Sequence, residues 1–210
     1  MDAKNTLTQH IIVFVFAAAV ILSFRFLEGI EWATAFGRAS FVLLFLTLII
    51  GPVMKIKKPS SASTPLATPW SWRGELGIWF AVTALAHFII IASSRPFSSL
   101  IKIGGSGFSL ANLLGLIALF WTLLLAATSF RKVILFLGVD SWKWLHTSTY
   151  VIFYLVFAHL IYFQFFSTYG KIGPDWFGYF ALACAALVIV AQLTAFATVI
   201  MRNRKPTKSV

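Results

Sequence analysis

Long apolar runs without a charged side chain are the feature that most constrains how this chain can fold. One of them, WLHTSTYVIFYLVFAHLIYF at positions 144–163, contains two histidines and a few hydroxyl groups but no charged residue. A run of 18 or more such residues is long enough to cross the hydrocarbon core of a bilayer. Because 60% of the residues are hydrophobic and only 11% are charged, the sequence predicts an integral membrane protein rather than a soluble domain.

Six apolar runs divide the chain, at about residues 10–30, 39–54, 74–94, 109–130, 142–166 and 176–201. Backbone amides find no water in hydrocarbon, so only helices or a closed barrel can span it. The runs are continuous rather than alternating, which favours helices. No clear small-x-small cleavage site follows the first run, which we therefore interpret as a helix and not a signal peptide. The prediction is a single all-α domain over residues 1–210, an integral membrane bundle of six transmembrane helices.

The lysines and arginines predict the orientation of the bundle. Four lie in the segment 55–73, three in the segment 131–143 and four after Met201, so that with Lys4 they place 12 of the 17 basic residues on one side. The other side holds Arg25, Arg38, Arg95, Lys102 and Lys171. Loops rich in Lys and Arg stay in the cytoplasm, so both termini are predicted to be cytoplasmic. The net charge of +11 is then a topology signal, and no nucleic-acid partner is expected.

Three of the four histidines lie in apolar sequence: His87, His146 and His159. An ionisable side chain inside a membrane is costly, which makes each a candidate for function. The alternative is a neutral imidazole that hydrogen-bonds to a neighbouring helix and has only a structural role. His10, at the inner edge of the first span, is interpreted as interfacial. The single cysteine, Cys184, offers no Cys-rich metal site and is interpreted as a packing residue.

The depths of these histidines differ. His87 follows Arg73 by fourteen residues and His159 follows Lys143 by sixteen, which corresponds to roughly 21 and 24 Å from the inner boundary at 1.5 Å per residue. His146 lies only three residues past Lys143. Two imidazoles at one level on two helices suit the axial positions of a haem iron. Zinc or copper would require further ligands, which the apolar surroundings do not offer.

Three stretches carry a resemblance to a known family: GRASFVLLFLTLIIGPV in the second span, RGELGIWFAVTALAHF in the third and WKWLHTSTYVIFYLVFAHLIYF in the fifth. Over nearly its whole length the chain resembles the ferric-reductase-like transmembrane domain family, most closely the MsrQ (YedZ) type, the haem-binding membrane subunits of bacterial methionine sulfoxide reductase systems. The resemblance implies haem b, a bacterial inner-membrane location and electron delivery to a periplasmic molybdenum-dependent reductase.

The wider superfamily holds two stacked haems between two histidines on each of two helices. Here His87 and His159 match the outer pair and His146 matches one inner ligand, but the remaining inner position is Arg73. One haem between His87 and His159 is therefore expected. A second, inner haem on His146 is a candidate site, with Arg73 as its candidate partner.

The source of electrons is a separate question. No G-x-G-x-x-G fingerprint of a dinucleotide-binding unit occurs in the sequence, so we expect this chain alone not to oxidise NADPH. The electron donor is then a quinol from the membrane or a separate cytoplasmic flavin reductase, and FMN or a quinone is a further candidate cofactor. Two rival functions stay open, a stand-alone ferric or quinone reductase and, from another class, a small transporter or assembly factor with structural histidines.

Overall fold

The computed structural model of the chain describes residues 7–56, 69–96, 98, 107–167 and 173–203, and all regular structure within these ranges is helical. Six helical stretches are long and apolar enough to cross a bilayer, so the predicted all-α membrane bundle is confirmed. The helices are α1 (Leu7–Leu22, continued by a π-helical turn over Ser23–Leu27), α2 (Trp32–Ile56), α3 (Pro69–Ser94), α4 (Gly107–Ala127), α5 (Arg131–Leu137), α6 (Val139–Thr147), α7 (Thr149–Ile161, continued by a π-helical turn over Tyr162–Phe166) and α8 (Trp176–Asn203).

Four of these helices form a closed ring. Helix α2 packs along α3 and α4 packs along α7, while contacts between α3 and α4 and between α2 and α7 complete the ring. Helix α1 lies against α2 and α3, and α8 lies against α2 and α7. We call the end of the bundle at which α2, α4 and α8 begin the outer end, and the opposite end the inner end, in keeping with the predicted orientation.

Aromatic side chains fill the core near the outer end. The Phe41 ring lies 5.8 Å from the Phe153 ring and 5.9 Å from the Phe177 ring, centroid to centroid. The Phe24 ring meets the Phe177 ring edge-on at 5.5 Å. All four side chains are buried, so this cluster joins the end of α1 to α2, α7 and α8. Large apolar side chains on the opposite helix faces, such as Phe196 on α8, are exposed, as expected of faces that meet lipid.

An ion network ties the outer loops to α2. Arg38 is only 3% exposed, and its Nη1 donates to Glu28 Oε2 at 2.9 Å while its Nη2 pairs with the Asp175 carboxylate. The Trp176 indole also donates to Glu28 Oε2, at 3.2 Å. Asp175 in turn accepts from the backbone amide of Phe177 at 3.0 Å, as an N-terminal cap of α8. The loop after α1 and the loop before α8 are therefore held together through one guanidinium.

This network explains the largest error in the predicted spans. The second span was expected to begin near residue 39, with Arg38 outside it, but α2 begins at Trp32 and contains Arg38 in its buried face. A buried cation is tolerated when it is paired and hydrogen-bonded. The two acidic partners come from distant loops, at positions 28 and 175.

The fifth span also differs from its prediction, because it is not one regular helix. It begins at Val139, and α6 ends in a tight turn at Ser148, whose amide donates to the Leu145 carbonyl at 3.1 Å. Helix α7 then starts at Thr149. His146 and His159 therefore lie on two successive helices. The hydroxyl-rich sequence HTST at 146–149 accounts for the turn, since the side chains of Ser148 and Thr149 bond back to backbone carbonyls.

Candidate functional site

The imidazole of His87 is held against the outer end of α2. Its Nδ1 lies 2.6 Å from the carbonyl oxygen of Ala33, in the first turn of α2. One turn further along α2, Gly37 leaves the space that the ring occupies, since a Cβ at this glycine would lie 3.0 Å from both Nδ1 and Cε1 of His87. A carbonyl and a glycine four residues apart on α2 thus set the position of the ring.

The imidazole of His159 is held in the same way by α4. Its Nδ1 lies 2.7 Å from the carbonyl oxygen of Ala111. A Cβ at Gly115, again four residues after the carbonyl, would lie 2.8 Å from His159 Nδ1 and 2.9 Å from Cε1. The Phe163 ring packs beside the imidazole at a centroid distance of 5.0 Å. The segments ATAFG (33–37) and ANLLG (111–115) therefore use one arrangement twice, on two helices.

These contacts determine which nitrogen of each ring is available. A carbonyl oxygen can only accept a hydrogen bond, so Nδ1 carries the proton in both His87 and His159. In a neutral imidazole the lone pair is then on Nε2, the arrangement found in metal-ligating histidines whose other nitrogen is fixed by a backbone carbonyl. Within the described residues no hydrogen bond to Nε2 of either histidine is found. Both rings could donate Nε2 to an iron.

The two histidines lie at the same end of the bundle, as their depths predicted. Ala33 is the second residue of α2 and Ala111 the fifth of α4, and both helices begin at the outer end. The helices that carry the histidines, α3 and α7, both belong to the ring of four helices. The imidazoles of His87 and His159 are also near enough to interact electrostatically. Both imidazoles therefore lie at the outer end of the ring, on two of its four helices.

His146 lies apart from this pair, near the inner end. Its ring packs on the Trp142 indole at a centroid distance of 4.3 Å. Its Nε2 is buried, as is Trp142 Nε1, and neither has a hydrogen-bond partner among the described residues. Arg73, in the second turn of α3, is close enough to His146 for an electrostatic interaction. The two residues named as a candidate inner pair therefore lie in the same part of the bundle.

The inner part of the bundle contains one further buried ionisable group. Glu75 is fully buried, and within the part of the chain that the structure describes neither of its carboxylate oxygens has a hydrogen-bond partner. It lies near enough to His10 of α1 for an electrostatic interaction. The packing of α1 against α3 in this part of the bundle cannot be read from a linear sequence pattern.

The donor set limits the metal chemistry of these sites. No group of three or more His, Cys, Asp or Glu side chains able to hold a metal ion occurs in the described ranges. Two imidazoles on separate helices fit a haem, whose porphyrin supplies four nitrogens and leaves two axial positions for the protein. The available Nε2 atoms of His87 and His159 are compatible with that group.

Sequence reasoning selected the histidines but missed the elements that orient them. The carbonyls of Ala33 and Ala111 have no sequence signature, since every residue carries a carbonyl. Gly37 and Gly115 had a signal, a small residue four positions before each glycine. That pattern is typical of close helix packing in membranes, so it does not by itself identify a ligand site.

Comparison of the chain with sequence models of known protein families, and with curated proteins, finds no match.

Proposed function

We propose that the chain is a haem b membrane protein that passes electrons across the bilayer, from a donor at the inner side to an acceptor outside. The observation that carries this proposal is the duplicated arrangement of His87 and His159, each with Nδ1 bonded to a helix carbonyl and Nε2 available. A structural histidine needs only one satisfied hydrogen bond. Two identical arrangements at one level, on helices of one ring, are what a bis-imidazole site requires.

In this proposal His87 and His159 hold one haem at the outer end, and His146 is a candidate ligand of a second, inner haem with Arg73 beside it. When bound, haem b supplies a reversible one-electron couple. The protein orients the imidazoles through the carbonyls of Ala33 and Ala111, and its apolar helices keep water away from the site. The buried Nε2 of His146, which has no partner in the described residues, supports the inner site.

The acceptor and donor follow from the family resemblance and from the membrane setting. We propose a periplasmic molybdenum-dependent methionine sulfoxide reductase as acceptor, and a quinol or a cytoplasmic flavin reductase as donor. The rival within redox chemistry is a stand-alone ferric or quinone reductase, which would reduce its acceptor without a protein partner. The rival from another class, a transporter or assembly factor, requires no haem at all.

The first test is the optical spectrum of the purified full chain. We expect a haem Soret band that shifts when dithionite is added, and its absence after expression with excess haem would contradict the proposal. We expect His87→Ala and His159→Ala each to abolish low-spin binding of the same haem, because each removes one axial nitrogen. His146→Ala should leave that haem in place, and His10→Ala is the matched control at the inner end of α1. A six-coordinate low-spin signal that survives in His87→Ala would show that the pairing is wrong.

A further inference from the structure

The connection between the fourth and fifth spans is a helical corner at the inner end of the bundle. Helix α4 ends at Ala127, and α5 begins at Arg131. Gly138 closes α5, since its amide donates to the Ile134 carbonyl at 3.0 Å and its φ of 79° lies in the left-handed region that favours glycine. Its own carbonyl accepts from the Trp142 amide at 3.0 Å, so α6 follows directly. We call α5, Gly138 and α6 together the inner corner.

The inner corner exposes large apolar side chains. Phe136 of α5 is 87% exposed and Trp144 of α6 is 77% exposed, and Leu135 and the preceding Phe130 are exposed as well. Three of these four residues lie between the fourth span, which ends at Ala127, and the fifth. Apolar side chains exposed together in one short segment mark a surface that another molecule covers.

The charges of the inner corner are mainly positive. Arg131, Lys132 and Lys143 stand against one acidic residue, Asp140. The Lys143 ammonium lies 3.3 Å from the Asp140 carboxylate, but the two side chains are 58% and 99% exposed. An ion pair so open to solvent is weak, so Lys143 can still attract a second anion. Lys132 is also exposed. The surface thus combines a net positive charge with aromatic and aliphatic side chains.

The lengths of the neighbouring elements place this surface at the membrane boundary. Only residues 128–130 separate α4 from α5, and three residues reach at most roughly 10 Å. The headgroup region on each side of the hydrocarbon is roughly 5–8 Å thick. Helix α7 and its π-helical turn, from Thr149 to Phe166, extend over roughly 27 Å and can cross most of the hydrocarbon without α6. The inner corner therefore lies at the level of the lipid headgroups.

We propose that the inner corner binds the headgroups of anionic phospholipids. Lys132 and Lys143 contact the phosphates, while Phe136 and Trp144 reach the boundary between headgroups and acyl chains. A segment with basic side chains and exposed apolar ones is typical of helices that lie in this interface. Tryptophan is enriched at the same level, and each lysine there is attracted by the negative surface potential of the leaflet. This proposal is independent of the electron-transfer function proposed above.

A soluble protein, such as a cytoplasmic flavin reductase, is the other occupant that a basic surface could accept. It would leave Phe136 and Trp144 in water whenever it dissociated. Exposed apolar side chains also continue from the last turns of α4, where Leu124 meets lipid, to Phe130 at the start of the inner corner. The lipid that covers the end of α4 therefore extends to this surface, which favours phospholipid as the occupant.

The first test measures lipid selectivity at the inner corner. A bimane fluorophore is attached at Ser141→Cys, an exposed position of α6, in full chain that also carries Cys184→Ala. Nanodiscs of phosphatidylcholine contain a fixed fraction of brominated phosphatidylglycerol or brominated phosphatidylcholine, which quench the fluorophore on contact. We expect phosphatidylglycerol to be preferred. Lys132→Gln and Lys143→Gln should each lower the preference roughly fivefold, the attraction of one lysine to an anionic surface.

The matched control is Lys55→Gln, which removes a positive charge from an exposed position at the inner end of α2. This variant should keep the preference reported at Ser141. Since both leaflets of the nanodisc have the same composition, the result does not depend on the orientation of the bundle. Equal quenching by the two lipids in the chain with native lysines would overturn the proposal. A preference that survives in the double lysine variant would overturn it too.

The second test measures depth in the membrane. Nitroxide labels at Phe136→Cys and, as the control, at Asp140→Cys are compared by power-saturation electron paramagnetic resonance, again with Cys184→Ala. We expect the Phe136 label to collide mainly with oxygen, which concentrates in lipid, and the Asp140 label mainly with a water-soluble nickel chelate. Equal access of the chelate to both labels would place α5 in water, as a surface for a soluble protein, and the lipid proposal would be wrong. Neither test requires haem, so the haem spectra and the lipid proposal can fail separately.

Discussion

Gly115 is the residue at which the smallest chemical change should have the largest effect on the outer site. In Gly115→Ala the new methyl group would lie 2.8 Å from His159 Nδ1, inside van der Waals contact. The ring must move, which breaks its bond to the Ala111 carbonyl and misplaces Nε2. We expect the low-spin haem signal to be lost or converted to high spin, although alanine favours the helix by up to about 1 kcal/mol.

The matched control for this variant is Gly77→Ala on α3, where the added Cβ would meet only the Thr47 methyl, at 3.9 Å. The measurement is the optical and electron paramagnetic resonance spectrum of both variants. Thermal unfolding of the haem-free chains separates a local displacement from general destabilisation. If Gly115→Ala and Gly77→Ala give the same low-spin spectrum, the glycine does not position the imidazole.

For single residues, the sequence was sufficient to select the candidate ligands but not the backbone groups that hold their imidazoles. His87 and His159 could be selected because an imidazole in an apolar run is rare and costly. Their common depth could be computed because the rise of a helix is constant. The bond from each Nδ1 to a carbonyl depends on which helix lies alongside, and that neighbour is set by packing of the whole bundle.

Among the contacts between helices and loops, the Arg38 network is the one whose loss should destabilise the fold most. Arg38→Met would remove the cation that Glu28 and Asp175 share, so two carboxylates would lie close together at the outer end without a cation between them. Breaking a fully buried ion pair costs about 3–5 kcal/mol. Because the two carboxylates are 31% and 33% exposed, solvent reduces this cost, and we expect a loss of about 2–3 kcal/mol in the free energy of unfolding.

Reversible unfolding in mixed detergent micelles measures this loss. Arg25→Met is the control at the same end of the bundle, since Arg25 donates to one backbone carbonyl, that of Ile30, at 3.3 Å. Its removal should cost less than about 1.5 kcal/mol. Equal stability of the two variants would mean that the shared guanidinium does not hold the loops together.

The elements themselves were largely predictable, with errors where side chains override hydropathy. All six spans were found because a charge-free run of sufficient length has few alternatives in a membrane protein. The start of α2 was missed because a charged residue such as Arg38 normally marks the end of an apolar span. Its burial can be predicted only when its two acidic partners are known. The turn at Ser148 was missed because a window of hydropathy does not register hydroxyls that bond to the backbone. Residues 57–68, between the second and third spans, lie outside the described residues.

For the whole molecule, the distribution of charge predicts that both termini face the cytoplasm. The 12-to-5 split of basic residues carries this prediction, because Lys and Arg near the span ends determine the orientation. Six spans also require both ends of the chain to lie on one side.

Paired reporter fusions can test whether both termini face the cytoplasm. A fluorescent protein that matures only in the cytoplasm, fused after Val210, should fluoresce, while alkaline phosphatase at the same position should be inactive. The same two reporters inserted within the segment 99–106, between the third and fourth spans, should give the opposite result. Each fusion is its partner's control for expression, since both are carried by the same chain. Active phosphatase after Val210 would reverse the bundle, place the His87–His159 level at the cytoplasmic face, and remove the basis for outward electron transfer.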